Sequence, residues 1–204
     1  MISGWDARFE REDYLFGTSP AAFLATNKRL LKANAGKSAL AIADGEGRNS
    51  VFMAQCGLDV TSMDSSRVGL DKAQALASKT KVDVSFQLAD LKTWAWAENS
   101  YDFVVAIFIQ FADPDFRAEI FEGMKKTVKP GGVILLHGYT PKQIDYGTGG
   151  PGVAENLYTE AMLQAAFADF EIETLSAYDR VIHEGAGHAG KSALIDLIAR
   201  KPLV

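Results

Sequence analysis

The 204-residue sequence contains a single cysteine, Cys56, which excludes an internal disulfide. Set in an apolar pattern, Cys56 reads as a small buried side chain. Only three histidines are present, none in a His-x-x-x-His pair, so the spacing of a metal site is missing and no metal is expected. Long apolar runs are also absent. The longest, Phe103 to Ile109, falls far short of the roughly 20 residues a membrane helix needs, and it reads as a buried strand. The opening Met1-Ile2-Ser3-Gly4-Trp5-Asp6-Ala7-Arg8 carries charge where a signal peptide carries its apolar core, so a cytoplasmic protein with no membrane association is expected.

Positive charge is scarce. The 21 Lys and Arg residues are outnumbered by 26 Asp and Glu, giving a formal charge of −5. Contact with a phosphate backbone relies on clustered cations, so nucleic acid is not the expected partner, and the pair Lys125-Lys126 reads as a solvated helix face. Neither low complexity nor a solenoid repeat occurs. The 48% hydrophobic and 23% charged fractions suit one globular domain over residues 1–204. No pattern specifies an oligomeric state.

Short apolar runs recur at Ser38 to Ile42, Asp59 to Met63, Val84 to Leu88, Phe103 to Ile109 and Val133 to His137. Helical spacing separates several of them, at Ser50 to Gln55, Val68 to Ala77 and Asp115 to Val128. The clearest stripe is Phe116, Ile120, Phe121, Met124 and Val128. This rhythm predicts five βα units and a parallel sheet covered on both faces. It then breaks: Tyr158 to Phe167 reads as a helix, and Glu171 to Tyr178 and Ser192 to Ala199 read as a closing antiparallel hairpin. The expected fold class is α/β, a Rossmann-like three-layer α/β/α sandwich whose seven-stranded, mostly parallel sheet has one antiparallel strand.

Two segments fall outside that scaffold. Residues 1–36 open with Trp5, Phe9, Tyr14 and Phe16, then carry a helix from Pro20 to about Lys32. Residues 140–152 form a Gly/Pro-rich loop with Gly147, Gly149, Gly150 and Gly152. Both are expected over the carboxyl ends of the strands, where open α/β sheets bind ligands.

Gly45 and Gly47 follow the first strand and precede a helix, so the backbone can turn sharply and a ligand can approach closely. Asp64 ends the second strand at the separation where a carboxylate takes two ribose hydroxyls. A cap for the following helix is its alternative role. Asp90 and Leu91 end the third strand, a pairing suited to an adenine amino group and ring face; a turn or helix cap is the alternative for Asp90. Ser50 stands where the fingerprint Gly-x-Gly-x-x-Gly of a nicotinamide site has its third glycine.

With the turn Lys129-Pro130-Gly131-Gly132 and the terminal hairpin, this order resembles class I S-adenosylmethionine-dependent methyltransferases over essentially the whole chain. Gly45-Glu46-Gly47-Arg48-Asn49-Ser50 and Gly57-Leu58-Asp59-Val60-Thr61-Ser62-Met63-Asp64 look like the tellurite-resistance and thiopurine methyltransferase branch. Trp5-Asp6-x-Arg8-Phe9 with Tyr14, Thr148-Gly149-Gly150-Pro151 and Glu184-Gly185-x-x-His188-x-Gly190 resemble a set of small bacterial methyltransferases. The resemblance implies S-adenosylmethionine as cofactor and S-adenosylhomocysteine as product. The contacts it implies fall on Ala43, Asp44, Gly45, Glu46, Gly47, Asn49, Asp64, Ser65, Asp90, Leu91 and Ile107. It also implies that the aromatic opening closes over cofactor and acceptor. The chain departs from the class at Ala41, where an acid is usual, and at Ala43, where glycine is usual. Asp44 or Glu46 is expected to replace the missing acid, and Ala43 to be tolerated if its φ is negative.

Methyl transfer from a sulfonium is a direct displacement, so the enzyme chiefly aligns its reactants. A base is required only for an acceptor that arrives protonated. The expected catalytic candidates are His137, Tyr14 and His188, with Gln110, Tyr139 and Glu184 on the acceptor side. His183 is expected to be exposed. The acceptor is a small-molecule nucleophile, with a thiol or a chalcogen oxyanion such as tellurite as the favoured classes. A non-catalytic S-adenosylmethionine-binding module and a nicotinamide-dependent oxidoreductase are the alternatives.

Overall fold

The computed structural model describes residues 4–203, so the opening Met1-Ile2-Ser3 of the sequence reading lies outside the described residues. The chain divides into two compact units, one of Met1–Trp94 with Glu184–Gly187, the other of Ala95–His183 with His188–Val204.

In the first unit, β1 (Ser38–Ile42), β2 (Asp59–Asp64) and β3 (Ser85–Leu88) are parallel neighbours. Ser38 is opposite Asp59 and Ile42 opposite Met63, which brings the ends of β1 and β2 level. Helix α1 (Gly4–Phe9) opens the unit, and α4 (Arg48–Gln55) and α5 (Arg67–Thr80) follow β1 and β2. Ser66 caps α5 by accepting the Gly69 N–H at 3.0 Å. The single helix expected to Lys32 is two, α2 (Ala22–Thr26) and α3 (Lys28–Ala33). The break is Asn27, whose side-chain amide donates to the Phe23 carbonyl at 2.9 Å and so competes with the helical ladder. Pro20 precedes α2 rather than starting it.

In the second unit, β4 (Tyr101–Ile107) and β5 (Val128–Tyr139) run parallel, with Ile107 opposite His137. Strand β7 (His188–Arg200) is antiparallel to β5, with Asp196 opposite His137. Helix α6 (Pro114–Thr127) starts with proline in its first turn under the Asp113 cap and buries Ile120, Phe121 and Met124 as the stripe predicts. Helix α7 (Gln143–Tyr146) is a single turn. Helix α8 (Glu160–Ala166) begins later than expected because Thr159 caps it, leaving Leu157 and Tyr158 before it, both buried. Strand β6 is longer than expected, Glu171–Glu184, and the turn Gly185–Gly187 joins it to β7.

The strand order is β3-β2-β1-β4-β5-β7-β6, seven strands, mostly parallel, with β7 reversed against β5. Five successive βα units are not found. Helices of more than one turn follow β1, β2 and β4, but no helix lies between β3 and β4. Residues 89–100 between them lack a helical apolar period, and Asp90 bends them into a turn by accepting the Lys92 N–H at 2.9 Å. Lys125 is also not simply solvated: it pairs with Glu122 and Asp169 at 2.9 and 3.0 Å. Cys56 is buried and His183 exposed. Among the described residues, no helix is long and apolar enough to cross a membrane.

Candidate functional site

The loop between β1 and α4 is built around left-handed backbone. Gly45 and Gly47 have φ of 59° and 83°. A methyl group at Gly47 would lie 2.5 Å from Ala73 Cβ, so α5 closes on this turn only because it has no side chain. Ala43 has φ of 47°, the opposite sign to the one that would make alanine innocuous here. Its place in the loop therefore stores backbone strain.

Two carboxylates hold the loop. Asp64 accepts the Gly45 N–H and the Ser66 N–H, each at 2.8 Å. It is thus not the helix cap, which is Ser66. Burial raises its pKa, with the nearby Asp6 charge adding to the effect. Asp44 accepts the Ser50 N–H at 3.2 Å and the Ser62 hydroxyl at 3.3 Å, anchoring the first turn of α4. Desolvation pushes its pKa up to about 6, against the effect of those bonds. Each carboxylate oxygen has a second lone pair, so both acids keep acceptor capacity for a cationic or hydroxylated ligand. Enclosed carboxylates with raised pKa suit a molecule bringing an ammonium and a sulfonium, which is the fit S-adenosylmethionine offers.

Several loop residues are engaged within the protein. Glu46 pairs with Lys72 at 2.5 Å, and Asn49 Oδ1 accepts the Ala21 N–H at 3.0 Å. Of the two expected substitutes for the strand-one acid, Glu46 is thereby committed to Lys72, and Asp44 is the one left without a lysine partner. Ser65 is exposed on the turn after β2, Asp90 is exposed, and Leu91 is buried beside it. Tyr14 donates its hydroxyl to the Lys72 carbonyl at 3.0 Å, which ties it to α5, and burial raises its pKa. Glu184 does not stand open to an acceptor. Its carboxylate pairs with Arg48 at 2.7 Å and accepts the Ala22 N–H at 2.9 Å. The aromatic opening packs on the loop: the Phe9 ring lies 3.0 Å from where a Gly45 side chain would begin. Asp6 accepts the Ser66 hydroxyl and the Val68 N–H at 2.5 and 3.2 Å.

The second unit carries its own cluster. His137, 1% exposed, meets Asp196 through Nδ1 at 2.6 Å. An ionised carboxylate only accepts, so Nδ1 carries the hydrogen and the proton-accepting lone pair of neutral His137 is on Nε2. Phe108 lies among three rings, with centroids 4.7 Å from His137, 4.7 Å from Tyr139 and 4.1 Å from His188. Its φ is 55°, a conformation an aromatic residue adopts only when its surroundings impose it. Ile107, just before it, is buried at the end of β4. Gln110 is locked, donating to the Tyr139 carbonyl at 2.8 Å and accepting the Tyr139 N–H at 2.7 Å. The 140–152 loop is tied to β7, as Gln143 accepts the Ala193 N–H and Thr148 donates to the Lys191 carbonyl.

Sequence reasoning passed over Asp196, Phe108 and Lys72. A lone acid inside the apolar run Ala193 to Ala199 was a readable signal for Asp196. Lys72 looks like any helix-surface lysine, and nothing in sequence marks a positive φ at Phe108.

Residues 39–132 match the methyltransferase domain family. The protein named "Probable S-adenosyl-L-methionine-dependent methyltransferase TehB" from Haemophilus influenzae is 30% identical over 93 residues, 45% of this chain and 32% of that protein. A demethylmenaquinone methyltransferase from Renibacterium salmoninarum is 28% identical over 145 residues, 70% of this chain and 56% of that one. The chain thus spans a third to just over half of these relatives. The crystal structure of TehB superposes with a TM-score of 0.69 at 22% identity, covering 88% of this chain and 61% of that one. A structure reported for conversion of a disulfide bond into a thioacetal group during echinomycin biosynthesis gives 0.77 at 16% identity, covering 98% and 91%.

Residues 39–132 are thus similar to methyltransferase domains, and the chain has the fold of the solved structures it matches. Over 45% of its length the chain is similar to TehB, a protein named as S-adenosylmethionine-dependent.

Proposed function

We propose that this chain transfers the methyl group of S-adenosylmethionine to a small-molecule nucleophile, a thiol in preference to an oxyanion. The observation that carries the donor half is the β1–α4 loop, where Asp64 holds the Gly45 N–H and Asp44 the first turn of α4. Bound there, S-adenosylmethionine supplies an activated methyl on a positively charged sulfur. Asp44 binds and orients that charge, Asp64 takes the ribose hydroxyls, and Phe9 with its neighbours in the opening segment excludes water. Ser65, Asp90, Leu91 and Ile107 are assigned to the nucleoside side. Asn49 supports the loop from behind through Ala21.

On the acceptor side, the Asp196–His137 pair favours a nucleophile that arrives protonated. Asp196 orients the imidazole, and His137 takes the acceptor's proton through Nε2 as the nucleophile forms its new bond. A tellurite-like oxyanion needs no such base and would call for cationic partners. Thiol chemistry is in keeping with the sulfur chemistry reported for the echinomycin structure. Phe108, Tyr139 and His188 supply the apolar wall, and Gln110 fixes the backbone of Tyr139.

The test is transfer of labelled methyl to a panel of thiols, tellurite and demethylmenaquinone, alongside calorimetry with S-adenosylmethionine and NAD. Thiol methylation that falls at least tenfold in His137→Ala supports the reading. Donor binding without turnover on any acceptor would make the chain a binding module, and binding of NAD alone would overturn the donor assignment.

A further inference from the structure

Glu46 and Arg48 stand on either side of Gly47, and each meets an opposite charge from a distant part of the first unit. Lys72, on α5, pairs with Glu46 at 2.5 Å. The same ammonium donates to three backbone carbonyls, of Phe9 at 3.1 Å, Arg11 at 3.2 Å and Asp13 at 2.6 Å. Glu184, in the hairpin tip, pairs with Arg48 at 2.7 Å and accepts the Ala22 N–H at 2.9 Å. Both side chains of that pair are nearly enclosed, at 6% and 8% exposure.

Between these two fastenings the segment is held through its own backbone groups. Phe16 N–H reaches Glu46 Oε2 at 3.4 Å, and Gly187 N–H donates to the Leu15 carbonyl at 3.0 Å. A methyl group at Gly185 would stand 2.4 Å from the Leu15 carbonyl oxygen, so the tip presses directly on this segment. A buried ion pair adds little net stability over a well-packed apolar pair of similar size. Its distinctive property is that it fixes where two elements meet.

We propose that Lys72 and Glu184 are positioning residues for the donor loop: by pairing with Glu46 and Arg48 they set the loop on both sides of Gly47 and fasten residues 9–22 against it with the same charged atoms. The proposal rests on the loop being the donor site. Neither residue touches the methyl group; each acts through its loop partner.

The test uses the full chain in three forms, Lys72→Met, Glu184→Gln and the double replacement Arg48→Met with Glu184→Leu. Each is examined for melting temperature, for S-adenosylhomocysteine affinity by calorimetry, and for cleavage at Arg8 and Arg11 by an arginine-specific protease. Lys72→Met is expected to weaken S-adenosylhomocysteine at least tenfold and to speed cleavage at both arginines at least tenfold. Glu184→Gln is expected to weaken it at least fivefold. The double replacement removes both charges and is expected to melt near the wild type while still binding at least fivefold more weakly, an outcome a merely structural pair would not give. Affinity within twofold of wild type in the double replacement, or unchanged cleavage in Lys72→Met, overturns the proposal. If the wild type itself binds no S-adenosylhomocysteine, the donor reading fails, and the cleavage rates still decide whether Lys72 fastens the segment.

Discussion

Replacing Asp44 by asparagine separates what the loop needs for folding from what it needs for the donor. The asparagine oxygen can accept the same two hydrogen bonds, from the Ser50 N–H and the Ser62 hydroxyl, that Asp44 accepts at 3.2 and 3.3 Å. Only the charge is lost. The Asp44 pKa rises from 3.8 to about 6 on folding because burial disfavours the carboxylate. Between those values the folded chain binds a proton that the unfolded chain has released, so stability falls as pH rises through that window. Two pKa units at about 1.4 kcal/mol each give at most about 3 kcal/mol, fully developed by about pH 7.5. Denaturant unfolding of the wild type and of Asp44→Asn across this range should therefore show nearly equal stability at about pH 3, and an advantage for the variant of up to about 3 kcal/mol near neutrality. Other carboxylates titrate in both proteins and cancel in the difference. S-adenosylmethionine affinity should move the other way, falling at least tenfold. A stability difference that does not change with pH would refute the argument that Asp44 is a strained, ionised group held for a cation.

Gln110→Ala removes the acceptor of the buried Tyr139 N–H, while the Tyr139 carbonyl keeps the Tyr158 N–H at 3.0 Å, and should cost about 1–3 kcal/mol in denaturant unfolding; a loss below about 0.5 kcal/mol would show that the N–H finds another partner. Gly47→Ala places a methyl group 2.5 Å from Ala73 Cβ at a φ of 83°. It should cost about 2–4 kcal/mol by the same assay, and Ala73→Gly should recover part of it. Asp196→Asn should reduce turnover at least tenfold while leaving the dissociation constant for S-adenosylmethionine within twofold; equal losses in both would remove Asp196 from the acceptor side.

The regular part of the fold was legible because burial imposes a period on the chain. A parallel strand covered on both faces must be apolar throughout, as Ala39–Ile42 and Val104–Val105 are. A helix against a sheet must carry a stripe, as α6 does. The same logic misled where no period exists: residues 89–100 follow a strand in the place of a helix but are shaped by the Asp90 turn. Gly45, Gly47 and Asp64 were legible as one loop structure because their spacing along the chain is short. Partners distant in sequence were not legible, since they depend on long-range register. Asp196 meets His137 because β7 runs antiparallel to β5 with those two residues opposite, and no local feature of either strand announces that pairing. Glu184 looked free to bind an acceptor because its partner, Arg48, is far away in sequence.

The hairpin tip at Glu184–Gly187 has a consequence for how the protein comes into being. Glu184 reaches the Ala22 N–H across 162 residues of chain, so the hairpin completes a segment made long before it. Closing a loop that long costs about 2–3 kcal/mol more chain entropy than closing one of about ten residues. The contact is therefore a late event in folding. Until the final hairpin has left the ribosome and paired, the opening aromatics Phe9 and Phe16 lack part of their clamp. A nascent chain ending before Glu184 should thus expose that greasy segment to chaperones. The fastening of residues 9–22 is thereby gained only after Glu184 has been made.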